Sequence, residues 1–143
     1  MPEPAAGKGT LIEHMRAHKA PIADLIGFFV TESGEGRAAV VIQTGPQHFN
    51  PMGTLHGGVL CDIADTAMGF AFASTLAAGE SFTTIELKIN YLRPVREAKL
   101  CAEGRVVQAA LAPGSVLGPA QESGWFVLAR ETALQERPER VPI

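Results

Sequence analysis

Three observations on this 143-residue chain predict an antiparallel α+β domain. Residues 57–76 are apolar on every helical face and long enough for more than five turns. Strand-like patterns lie on both sides of that segment, instead of alternating with further helices. The length suits one domain, and 46% apolar against 19% charged residues is globular composition, not that of a disordered chain. A domain of this size buries well over half of its unfolded surface and needs no disulfide staples.

Residues 1–9 are polar and rich in Pro and Gly, and are expected to be a disordered lead-in to one domain over 10–143. Leu11, Ile12 and Met15 recur at helical spacing among charged residues, which predicts a short amphipathic helix over 10–19, stopped by Pro21. Residues 27–32 and 37–43 are rich in Phe, Val and Ile and flank Ser33-Gly34-Glu35-Gly36, a β-hairpin pattern. Residues 44–55 carry two glycines and two prolines and read as a loop. The long helix follows over 57–76. An all-round apolar helix is buried, so other elements must wrap it.

The wrapping is expected downstream. Residues 84–92 alternate, with Ile85, Leu87, Ile89 and Tyr91 on one face, and Arg93-Pro94 closes the strand. Residues 100–110 and 125–134 are two more strand candidates, and 113–123 is a Gly/Pro-rich stretch, a strand or a loop. The sheet is thus expected to have five to six strands.

Composition excludes several functions. Twelve basic against fifteen acidic residues give a net charge of −3, unlike the basic footprint of a nucleic-acid binder. The longest uncharged apolar stretch, 66–79, is shorter than the roughly 20 residues of a membrane span, and no signal peptide is evident, so a cytoplasmic protein is expected. Cys61 and Cys101 are too few for a disulfide framework or a Cys-rich zinc site. There is no dinucleotide fingerprint, P-loop or Gly-x-Ser-x-Gly elbow. His14 and His18, four apart, sit among charges and read as a solvated face, not a metal site. Neither cofactor nor metal is expected.

The chemistry concentrates in residues 48–65, His-Phe-Asn-Pro-Met-Gly-Thr-Leu-His-Gly-Gly-Val-Leu-Cys-Asp-Ile-Ala-Asp. Backbone N–H groups at a helix start attract negative charge. Glycine lets a substrate carbonyl come close, so the Gly57 N–H is a candidate oxyanion donor. The glycines have a second reading, close helix–sheet packing. Asp65 lies in an apolar helix, where a carboxylate costs free energy unless it is hydrogen-bonded. Asp62 is the weaker candidate, and complementing the helix dipole is its alternative role.

Residues 50–69 closely resemble the hotdog-fold acyl-CoA thioesterases of the 4HBT superfamily, in particular the phenylacetate-degradation (PaaI) type. The resemblance rests on Asn50-x-x-Gly53-x-x-His56-Gly57-Gly58 and on Asp65 of Ala64-Asp65-x-Ala67. Residues 84–94 also look like the family's strand after the helix, and the likeness covers roughly 25–110. It implies a hotdog fold, a long central helix wrapped by a curved antiparallel sheet. It further implies Asp65 as nucleophile or general base, Gly57 polarising the thioester carbonyl, Asn50 placing carboxylate, water or thioester, and Thr84 supporting the water. His56 shapes the helix start. After Val107 the chain lacks the family's basic residue, which leaves the CoA-phosphate contacts unassigned.

The expected activity is hydrolysis of an aryl- or medium-chain acyl-CoA. The alternatives are a non-catalytic acyl-CoA-binding module and, on the strength of His48-Phe49, a hotdog hydratase or dehydratase. Gly57 and Asp65 are eight residues apart, about 12 Å along a helix, too far for one thioester. A two-fold homodimer with shared sites is therefore expected, with Asp65 and Thr84 of one subunit facing Asn50, His56 and Gly57 of the other. The family resemblance suggests that dimers pair into a homotetramer.

Overall fold

The computed structural model describes residues 9–107 and, as backbone, 109–111, 125–127 and 133–136. Apart from Gly9, the expected lead-in lies outside the described residues, as does the ambiguous stretch 113–123. Helix α1 spans Leu11–Ala17 and α2 spans Pro21–Ile26. The sequence reading made Pro21 a stop. Instead it opens α2, because the first helical position needs no N–H and suits the fixed φ of proline. Gly27 closes α2 at φ 90°, a left-handed cap that glycine adopts without a Cβ penalty.

Strands β1, Phe28–Gly34, and β2, Arg37–Gln43, form the predicted hairpin. Its turn is Glu35-Gly36, with φ of 52° and 73°. Two positive φ values match the right-handed twist of the strands, which explains the glycine. Helix α3, Gly57–Ala73, follows the loop, and β3 spans Lys99–Arg105. The backbone continues with β4, Ala109–Leu111, β5, Trp125–Val127, and β6, Ala133–Glu136. All pairings are antiparallel, in the order β1-β2-β3-β6, while β4 pairs with β5. The expected α+β architecture, a central helix against an antiparallel sheet, is thus present.

The core lies between α3 and the sheet. Leu60, Ile63 and Ala67 of α3 meet Val40 and Ile42 of β2 and Leu100 and Ala102 of β3. The helix sits close because its contact stripe is alanine-rich and β3 offers Gly104, where a Cβ would lie 2.3 Å from the Ala67 carbonyl oxygen. The far side of the sheet carries a smaller cluster of Ala39, Val41 and Cys101.

Two further expectations need correction. Helix α3 has 17 residues and ends three residues before 76. Its outward side, including Asp62, Asp65, Thr66, Gly69 and Phe70, is only half-buried, so it is not buried all round. Residues 84–92 form no strand. They run past α3, anchored by side chains. Their alternation survives only in part: Leu87 and Ile89 are half-buried, while Ile85 and Tyr91 are 62% and 55% exposed. A ladder needs a neighbouring strand, and the described residues supply none there.

Candidate active site

The loop before α3 is held by hydrogen bonds that its own composition provides. His48 is buried; its Nδ1 accepts from the Gly45 N–H at 3.1 Å and its Nε2 faces the Ile26 carbonyl oxygen at 2.7 Å. Both ring nitrogens are therefore spent on backbone, with the proton on Nε2. Asn50 closes the next turn, its Oδ1 accepting from the N–H groups of Met52 and Thr54 at 3.0 and 3.2 Å. This is asparagine's usual way of mimicking backbone in a turn. Gly53, at φ 73°, completes it. The Leu55 N–H donates to Val95 at 2.7 Å and the His56 N–H to His48 at 2.8 Å, which fixes where α3 begins.

His56 is the N-cap of α3, and its Nδ1 accepts from the Gly58 N–H at 2.9 Å. That satisfies one of the donors a helix start leaves open. The Gly57 N–H has no acceptor among the described residues. The Gly57 Cα is covered by Tyr91: a Cβ there would lie 2.8 Å from the ring Cζ and hydroxyl. The Tyr91 hydroxyl donates to the Gly57 carbonyl at 3.2 Å and lies 3.3 Å from Cys61 Sγ. The expected helix–sheet packing at this glycine is not found: the close neighbour of Gly57 is the Tyr91 side chain, and that of Gly58 is the His56 ring.

Two turns further on, Asp65 is half-buried, and Thr84 donates to its Oδ1 at 2.8 Å. Oδ2 has no donor among the described residues. Asp62 lies one turn before Asp65; burial first, then the charge of Asp65, push its carboxyl above the usual 3.8. A helix dipole would act in the opposite direction and fades within the first turn, so dipole complementation does not describe Asp62.

The site residues named from the sequence thus fall into two groups. Asp65 and Thr84 meet directly. Asn50, His56 and Gly57 gather at the helix start, about 12 Å away along the axis. Tyr91, which contacts Gly57, was not among the residues named from the sequence. Its only signal was a place on the apolar face of residues 84–92, which does not distinguish it from Ile85 or Leu87.

A cavity of about 950 Å³ lies on another flank of α3, lined by Met15, Ala23, Phe28, Val30, Thr66 and Phe70 among others. Thr66 points about 100° around the helix from Asp65, which does not line this cavity. His14 and His18 stack at 4.2 Å on exposed α1. Among the described residues no cluster of three metal-ligating side chains occurs, and no helix is long and apolar enough to cross a membrane.

A long helix against an antiparallel sheet, with a hydrogen-bonded carboxylate on the helix and a glycine at its start, defines a hotdog-type domain. The sequence profile of the thioesterase superfamily matches residues 52–110. A provisionally named esterase of Archaeoglobus fulgidus is 30% identical over 106 residues, 71% of this chain and 67% of that protein. Among solved structures, a conserved protein of Pseudomonas aeruginosa aligns with a TM-score of 0.62 at 29% identity, covering 67% of this chain and 77% of that one. The PaaI protein of the phenylacetic acid degradation operon of Escherichia coli aligns at 0.59 and 28%, covering 68% and 70%. The chain belongs to the thioesterase superfamily. It spans little more than half the length of the esterase-named relatives from Pseudomonas aeruginosa and Haemophilus influenzae.

Proposed function

We propose that this protein hydrolyses acyl-CoA thioesters to the free acid and CoA, with aryl or medium-chain acyl groups as substrates. The observation that carries this reading is Asp65, held by Thr84 through one oxygen while the other stays open toward solvent or substrate. Asp65 either takes a proton from a water that attacks the thioester carbon, or attacks that carbon itself to give an acyl–Asp65 anhydride that water then cleaves to the free acid. The carbonyl oxygen, becoming negative, is met by the Gly57 N–H, and the sulfur leaves as CoA. Preorganised donors of this kind are typically worth about 2.7–4 kcal/mol.

The homodimer belongs to the same proposal. Two helices related antiparallel by a two-fold axis bring the start of one beside the middle of the other. The uncovered face of residues 84–92 supports a second copy in that place, with Ile85 and Leu92 62% and 91% exposed. Pairing of dimers into tetramers and a cytoplasmic location complete the proposal. Asn50 and His56 serve by shaping the loop that presents Gly57, a narrower part for Asn50 than placing water or thioester.

The test is an acyl-CoA panel with a thiol reagent that reads free CoA, run on the wild type and on Asp65→Asn. Asp65→Asn keeps the shape and removes the base, so turnover is expected to fall at least about a hundredfold. Near wild-type turnover in folded Asp65→Asn would end this assignment. Binding without release of CoA by the wild type would favour the non-catalytic module. Hydration without CoA release would favour a hydratase, though His48, spent on backbone, offers no base for one.

A further inference from the structure

Tyr91 touches the helix start in three ways. Its ring covers the Gly57 Cα, its hydroxyl donates to the Gly57 carbonyl, and the same hydroxyl meets Cys61 one turn along. Glycine is the most permissive residue, and at a first helical position its N–H has no intrahelical acceptor to aim it. No group among the described residues accepts from that N–H. An oxyanion donor that wanders loses the advantage of preorganisation, since misplacement by about 1 Å can cost a hundredfold in rate.

We propose that Tyr91 is a positioning residue: by packing on the Gly57 Cα, where the two flanking peptide planes meet, and holding the carbonyl of the second plane, it limits rotation at Gly57 and so keeps the Gly57 N–H of the first plane directed toward the thioester oxygen. The inference rests on the hydrolysis reading above and adds to it the residue that orients the donor. A Cβ at position 57 would strike the phenol, so any side chain there requires Tyr91 to move. The hydrogen bond to Cys61 first, then burial and the electrostatic influence of Cys61, hold the Tyr91 hydroxyl above its usual 10.0. It therefore remains a donor at any ordinary working pH. Residues 84–91 thereby serve both groups of the site, Asp65 through Thr84 and Gly57 through Tyr91.

Tyr91→Phe removes the hydroxyl and keeps the ring. Two quantities are read on wild type and variant, steady-state kinetics on the best thioester and the ¹⁵N order parameter of the Gly57 amide. The expected result is a kcat lower by about ten- to a hundredfold with KM within twofold. The Gly57 order parameter should fall from about 0.85 to about 0.6 or below. A purely structural tyrosine would lower the melting temperature and leave the kcat of the folded protein alone. An unchanged Gly57 order parameter, or a lower one with kcat within twofold of wild type, overturns the proposal. If the wild type cleaves no thioester but Gly57 still loosens in Tyr91→Phe, the hydrolysis reading fails while the positioning of the amide stands. Tyr91 is more than half exposed, so the variant should fold, and Tyr91→Leu, which removes the ring contact too, should loosen Gly57 further.

Discussion

Asp62 and Asp65 are three residues apart on α3, yet their surroundings differ. Asp65 has a hydroxyl donor, whereas Asp62 has burial and the charge of Asp65 against it. A folded-state pKa above the unfolded one means that ionised Asp62 opposes folding. Its cost is absent below the unfolded value and grows as pH rises through the folded one. Asp62→Asn is therefore expected to raise the melting temperature at pH 7, by a few degrees at most because the group is only partly buried. The gain should vanish below about pH 4, where Asp62 is protonated anyway. A melting curve at each pH checks this, and a gain that persisted in acid would point to packing instead of charge. His48 illustrates the opposite outcome. In sequence His48-Phe49 supported the hydratase or dehydratase alternative, but the burial and two backbone partners of His48 make it a fastener between the loop and α2.

Among elements, the contact between α3 and β3 governs how the site is carried. Gly104 lies under the Ala67 carbonyl with no room for a methyl group. Gly104→Ala must push the helix off the sheet or distort β3, and overpacking of this kind costs about 1–3 kcal/mol. The expected outcome is a melting temperature lower by several degrees with little change in KM, measured by calorimetry beside thioester kinetics. Asp65 lies two residues before Ala67, so any residual shift of α3 should appear as lost kcat. Residues 81–94 act through contacts of another kind. Phe82 packs edge-on against Phe72 at 5.3 Å, and Thr84 and Tyr91 reach α3 by hydrogen bonds. Without a ladder, this stretch is anchored by a few side chains alone. Hydrogen exchange of its amides is therefore expected to be fast in a monomer and slowed in a dimer that covers it.

At the scale of the whole molecule, the separation of Gly57 from Asp65 along one rigid helix decides how many chains make a site. If each site takes Asp65 from one subunit and Gly57 from the other, two inactive variants can complement each other. Mixing Asp65→Asn with Gly57→Val after subunit exchange gives mixed dimers with one doubly defective site and one intact site. Activity should then recover to at most about half of wild type per mixed dimer. The intact site takes Gly57 and Tyr91 from the Asp65→Asn chain but Asp65 and Thr84 from the Gly57→Val chain, so full recovery also requires that Thr84 keep its bond to Asp65 when the valine displaces Tyr91. No recovery despite proven exchange, or a fully active monomer in sedimentation, would refute the shared site.

The local pattern determined much of this protein. Apolar periodicity located α1 and α3, the Ser-Gly-Glu-Gly group located the hairpin, and the spacing from Asn50 to Asp65 marked out the candidate site. These features are legible because each depends on neighbours within a few residues: a helical stripe, a turn needing positive φ, a motif on one loop and one helix. Asp65 stood out for a related reason, as a charge among apolar neighbours of its own helix. Tertiary structure alone decided the rest. Pro21 could stop a helix or begin one, and only the path of the chain into β1 chose. Residues 84–92 have the alternation of a strand, but a strand exists only where another backbone lies beside it, and alternation cannot state whether one does. Asn50 and Tyr91 differ in the range at which they found their partners for the same reason. Asn50 found its partners within its own turn, while Tyr91 found Gly57, 34 residues away in the chain, through a contact that no local pattern encodes.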